Sequence, residues 1–106
     1  MVQPDITKTG GISQGAEICR RMQASGRTVC LHMYGGPVGL YASAHLAASL
    51  DPAPWVEMDS KPNPLFERIL KAEPKIAAGE LALPPGPGIG DVFDENALRA
   101  ADVTGL

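Results

Sequence analysis

Asp5, His32 and Glu57 stand near the ends of three short extended segments, and as a set they describe a proton-transfer site. An imidazole titrates close to neutral pH, so it takes or gives a proton under physiological conditions. A carboxylate bonded to its second nitrogen fixes the tautomer and favours the protonated ring, the role expected of Asp5 toward His32. Glu57 follows Trp55 and Val56, and a carboxyl group among apolar neighbours is suited to donate to a developing oxyanion. Each residue alone has an ordinary structural reading. Asp5 after Pro4 can cap a turn, His32 can be a structural strand-end histidine, and Glu57 can pair with Lys61. Three ionisable groups on three successive segments make a pattern that any one of them alone would not.

The elements that must position them follow from local pattern. Residues 2–8, VQPDITK, read as extended, since Pro4 keeps Gln3 out of helical space. A turn at Thr9-Gly10-Gly11 leads into a helix expected from an N-cap at Ser13 to about Ser25, with Ala16, Cys19 and Met22 on one face and Gly26 as a left-handed cap. Thr28 to Leu31 is apolar and β-branched without alternation, as a strand covered on both faces requires, and it stops at His32. After a break from Met33 to Pro37, GLYASAHLAASL reads as a buried helix closed by Asp51, Pro52 and Pro54. Trp55 to Met58 is a third short strand. A helix around Leu65 to Lys71, a turn-rich LPPGPGIGD and a last helix, ENALRAAD, capped by Asp94, complete the order.

Strands alternating with helices imply an α/β fold with parallel pairing through right-handed crossovers. Two architectures fit, a small three-stranded layered sheet or a consecutive slice of a (β/α)8 barrel, a fold that typically takes about 250 residues. In either, groups at the carboxyl ends of strands are the ones free to do chemistry.

The bulk composition narrows the function classes. The 106 residues are 44% hydrophobic and 20% charged, with a formal net charge of −3, and the nine Lys and Arg are scattered, so nucleic acid is not an expected partner. The absence of an apolar run of about 18 residues argues against a membrane partner, and the N-terminus lacks the order of a signal peptide, so a cytoplasmic location is expected. Cys19 and Cys30 read as buried free thiols, and His45 as a packed, hydrogen-bonded residue of an apolar helix. Gly35-Gly36 is too short for a phosphate cradle, and Gly10-Gly11 lacks a dinucleotide-binding spacing.

The stretches "QPDITKTGGI", "CLHMYGGPVGLYASAHLAASL", "WVEMD" and "LPPGPGIG", in that order between about residues 2 and 95, resemble the last third of the catalytic barrel of the enolase superfamily, in its mandelate racemase subgroup. The resemblance implies a barrel that binds a carboxylate substrate through Mg2+, removes the proton α to the carboxylate and stabilises the enediolate. VQPDITK then resembles the sixth strand, with Asp5 as the acid of a His-Asp dyad. TVCLH resembles the seventh, with His32 as general acid/base, and WVEM the eighth, where Glu57 matches the acid that hydrogen-bonds the substrate carboxylate. Relatives of the muconate-lactonising and dipeptide epimerase type carry a catalytic lysine on the sixth strand. Lys8 matches a lysine that often precedes the double glycine, and it is not assigned as the base. Racemisation of a 2-hydroxy acid and dehydration of a sugar acid are both open.

The same resemblance marks what the chain lacks. A capping domain, three carboxylate Mg2+ ligands on strands three to five and a basic lysine on strand two have no counterpart here. Residues 1–90 are expected to form βα units of an incomplete barrel and 91–106 a C-terminal tail. Without the groups that stabilise enediolate charge, the isolated chain is expected to be inactive. Its open strand edge should favour self-association or pairing with a missing N-terminal part. The alternative is a small self-contained α/β binding or assembly protein whose dyad residues are idle.

Overall fold

The computed structural model describes residues 1–100. Two compact units divide it, Met1–Pro62 and a second that begins at Asn63.

The first unit is built on three adjacent parallel segments. β1 (Cys30–Leu31) pairs in parallel with β2 (Trp55–Val56), Cys30 opposite Trp55 and Leu31 opposite Val56. On the other side of β1, Val2 forms a parallel bridge with Val29. Backbone bonds extend this ladder past the formal strands. Cys30 N–H donates to Val2 O (3.0 Å), His32 N–H to Pro4 O (3.0 Å) and Glu57 N–H to Leu31 O (2.9 Å). The middle segment is paired on both sides and is the most deeply buried, with Val29 3% and Leu31 0% exposed. That is the burial expected of an apolar run without alternation.

Two crossover helices join the segments, α1 (Gly11–Ala24) and α2 (Pro37–Ala48). The expected N-cap at Ser13 is not used. Gly10 and Gly11, at φ 97° and 86°, turn the chain so tightly that the helix starts at Gly11 with no side-chain cap. Its end matches the sequence reading. Gly26 (φ 74°) donates to Gln23 O and Arg27 to Met22 O, each at 2.9 Å, which is the Schellman pattern. α2 begins two residues before the expected Gly39, because Pro37 at the first turn needs no N–H partner. Ile6, Ala16, Cys19, Val29, Leu31, Leu46, Ala47 and Leu50 form the core between helices and ladder. A Cβ at Gly15 would lie 2.7 Å from Ile6 Cγ2 and 3.0 Å from Leu46 Cδ2, so this position accepts only glycine without a shift. Cys19 and Cys30 are buried free thiols, and burial pushes both up in pKa. His45 is half-buried, its Nδ1 2.9 Å from Tyr41 O of its own helix.

In the second unit, Asn63 Oδ1 accepts from Leu65 N–H (3.0 Å) and caps α3 (Pro64–Ile69). β3 (Ile76–Ala77) and β4 (Glu80–Leu81) form an antiparallel hairpin that sequence reasoning leaves unassigned. Its two turn residues, Ala78 and Gly79, both have positive φ, at 52° and 79°. Leu70 bridges Phe93, and Asp94 Oδ1 accepts from Asn96 and Ala97 N–H to cap α4 (Glu95–Ala100), as expected. The last residues of ENALRAAD and of the expected tail, 101–106, lie outside the described residues.

Candidate active site

Asp5 ends the first segment and is buried, 8% exposed. The chain turns immediately after it, with Lys8 and Thr9 N–H donating to its carbonyl at 3.0 and 2.9 Å. The turn brings its own donors to the side chain. Thr7 N–H (2.8 Å) and Thr7 Oγ1 (2.6 Å) both donate to Oδ1, and Lys8 Nζ lies 3.0 Å from Oδ2. The Thr7 hydroxyl, aided by Lys8 and the Thr7 amide and opposed by burial, holds the carboxyl at about 2, below its ordinary 3.8.

His32 follows β1 and Glu57 follows β2, and parallel pairing sets them side by side. His32 Nδ1 hydrogen-bonds Glu57 Oε2. Glu57 also accepts from Met33 N–H (3.4 Å) and, at Oε1, from Gln3 Nε2 (3.2 Å). One carboxylate thus ties together all three parallel segments. An ionised carboxylate only accepts, so Nδ1 then carries the proton and Nε2 is the basic nitrogen of the ring.

The pairing differs from the expected one. His32 is joined to Glu57, and the carboxylate of Asp5 is taken by its own turn rather than by His32. The reason is proximity along the chain, since Thr7 and Lys8 reach Asp5 without any tertiary contact. Nor is Glu57 enclosed by apolar side chains. Trp55 is 69% exposed and the Glu57 side chain 40%, because β2 is paired on one side only among the described residues. Glu57 bonds His32 rather than Lys61.

Two cavities of about 220 Å3 each flank His32. One is lined by Asp5, Thr7, His32, Gly39 and Ser43 among others, the second by His32, Tyr34, Glu57 and Asp59 among others. A larger space of about 590 Å3 lies along the hairpin of the second unit, with none of the three site residues on its wall. Among the described residues no group of three or more His, Cys, Asp or Glu is placed to hold a metal ion. Asp5 is committed to Lys8 and Glu57 to His32, so this set does not fit a Mg2+ centre. No helix of the described residues is long and apolar enough to cross a membrane.

Gln3, Thr7 and Ser43 belong to the site and were not singled out by sequence reasoning. Gln3 was within reach of it, since in an extended segment residues 3 and 5 share a face.

Residues 1–97 match the family described as enolase C-terminal domain-like. The chain belongs to that family. Among curated proteins it is 36% identical to an arabinonate dehydratase of Saccharolobus solfataricus, over 94% of this chain and 28% of that protein. It is 27% identical to a D-xylonate dehydratase of Haloferax volcanii, over 99% and 26% of the two chains. It is 26% identical to a D-galactarolactone cycloisomerase of Agrobacterium fabrum, over 92% and 28%. The chain thus spans about a quarter of the length of these relatives. Its described residues form the α/β arrangement of a few parallel segments with crossover helices, without a closed barrel.

Proposed function

We propose that this chain is the acid/base portion of an enzyme of the mandelate racemase type that abstracts the proton α to the carboxylate of a sugar acid or 2-hydroxy acid. The observation that carries the reading is the hydrogen bond between His32 Nδ1 and Glu57 Oε2, at the carboxyl ends of adjacent parallel strands. It leaves Nε2 to take the α-proton, and its reverse returns a proton. In a dehydration the pair of electrons released from the C2–H bond expels hydroxide from C3, which leaves as water with a proton from the imidazolium, and the enol so formed becomes a 2-keto acid. A racemisation needs in addition a second acid to protonate the opposite face of C2, a group that an N-terminal barrel portion would have to supply. Glu57 orients the ring, and Asp5 is a fixed negative charge one segment away. The sugar-acid names of the relatives favour dehydration.

The outer segments of the ladder, 2–4 and β2, each pair on one side among the described residues. These edges suit an N-terminal barrel portion or a second copy of the chain. The isolated chain is expected to show no turnover.

The test is a chimaera in which this chain replaces the matching part of the Saccharolobus solfataricus relative. It should dehydrate arabinonate and exchange the α-proton in D2O, and His32→Asn should lower both about 10²–10⁴-fold with the fold kept. A folded chimaera without activity, or one indifferent to His32→Asn, returns the alternative of a binding or assembly domain.

A further inference from the structure

Gln3 is an exposed residue of an outer segment, yet its side chain reaches across the whole ladder. Its Nε2 lies 3.2 Å from Glu57 Oε1, 54 positions away on the opposite outer segment. Segments two spacings apart stand about 10 Å from each other, so only two long side chains can meet over the middle one. The Val2–Val29 bridge puts Gln3 beside Cys30, and Cys30 pairs with Trp55, so the Gln3–Glu57 contact runs diagonally over Cys30. A small side chain at that position leaves the path open. Burial first, and then the charge of Glu57, push the Cys30 thiol up in pKa, as expected with that carboxylate held close to it. The backbone that carries the Gln3 amide is itself fixed. Val2 O and Pro4 O, on either side of it, accept from Cys30 and His32 N–H at 3.0 Å each, and Pro4 keeps Gln3 extended.

The chemistry of the contact explains the residue type. An ionised carboxylate only accepts, so the NH2 of the amide and not its carbonyl faces Glu57. With Oε1 so engaged, Oε2 is turned to His32 Nδ1 and to the Met33 N–H at 3.4 Å. A Glu side chain that is 40% exposed has other rotamers within reach of water, and a second anchor on its far oxygen disfavours them. The amide is also neutral. Lys8 offsets the charge of Asp5, whereas Gln3 holds Glu57 and leaves its negative charge to the imidazole.

We infer that Gln3 is a positioning residue, whose amide anchors Glu57 Oε1 so that Oε2 meets the His32 Nδ1 proton, and which thereby keeps Nε2 as the unprotonated nitrogen of the ring. The consequence for catalysis rests on the proposed function, and the placement of the ring proton does not.

The test is long-range 1H–15N spectroscopy of the 15N-labelled full chain with the His32 ring neutral, which distinguishes the two tautomers. The wild-type ring should be protonated at Nδ1. Gln3→Leu removes the donor, and Gln3→Asn keeps the amide but is one methylene short. Each should shift the tautomer ratio toward Nε2–H about two- to fivefold, the loss one hydrogen bond carries at an exposed position. Gln3→Lys restores a donor of sufficient length and should return the ratio toward wild type. The Thr7 amide signal should stay in place in all three, which separates loss of the anchor from loss of the fold. In the chimaera, Gln3→Asn should lower kcat by the same factor and leave KM unchanged. A ratio unchanged in the Leu and Asn variants, or a Lys variant no different from Leu, overturns the inference and leaves the proposed function standing. A wild-type ring protonated at Nε2 overturns both. Tautomer shifts that follow Gln3, beside a folded but inactive chimaera, support the anchor and remove the enzymatic reading instead.

Discussion

Asp5 and Glu57 are carboxylates on the two segments that flank β1, and they are held in opposite ways. Every side-chain partner of Asp5 comes from within three residues of it, and the group is buried. Glu57 is 40% exposed at its side chain, and its partners His32 and Gln3 stand 25 and 54 positions away. An acid satisfied by its own turn is in place as soon as that turn forms. An acid satisfied by two other segments has its partners only when the parallel ladder exists, after the entropy of closing those loops has been met. The Asp5 turn therefore reports local structure, and the Glu57 cluster reports the fold.

Removing Asp5 should have the largest effect. Asp5→Ala leaves the Thr7 amide and hydroxyl without their acceptor and should cost about 3 kcal/mol in urea unfolding, in the range for hydrogen bonds to a charged group. The His32 ring resonances should stay where they are in the folded variant. If those resonances move, Asp5 and His32 are coupled and the contrast between the two acids fails.

Acid should come next. Because the folded carboxyl lies at about 2 and its ordinary value is 3.8, the unfolded chain binds the proton more readily. The stability linked to Asp5 is present above about pH 4 and is lost as pH falls through 2. The loss should reach about 2 kcal/mol and be missing from Asp5→Asn, as denaturant midpoints measured across pH 2–5 would reveal. A variant with the wild-type acid profile would assign the loss to another group.

Glu57→Gln should cost about 1 kcal/mol or less, since both members of the pair are substantially exposed. Its signature is spectroscopic. The His32 Nδ1 resonance should shift while the Thr7 amide does not, the mirror image of the Asp5 variant. Lys8→Met should be the mildest. Lys8 is 68% exposed, so the loss should be a few tenths of a kcal/mol and fade with added salt.

Much of the frame was legible because its signals are local. Gly26 ends α1 through a left-handed residue, Asp94 caps α4 with its own carboxylate, and the unalternating Thr28–Leu31 run is the buried middle of the ladder. Ser13 is a good capping residue by type, but Gly10 and Gly11 turn the chain into the helix ahead of it and leave it inside the first turn. The Ile76–Leu81 hairpin gives a weak signal, since Ala78 takes positive φ without being Gly or Asn. Trp55 and Val56 suggested an apolar setting for Glu57, yet exposure depends on what lies beside a strand, and sequence type does not report that.

For the site, the sequence by itself determined which groups stand at the segment ends and how Asp5 is satisfied, because a turn of five residues brings Thr7 and Lys8 to it whatever the rest of the chain does. Only the tertiary structure decided that His32 bonds Glu57 rather than Asp5, that Gln3 joins them, and that Ser43 faces the Asp5 cavity. Those contacts depend on strand register and on the rotation of α2 against the ladder, which are set by packing around Ile6, Leu31 and Leu46 and not by any short stretch of residues.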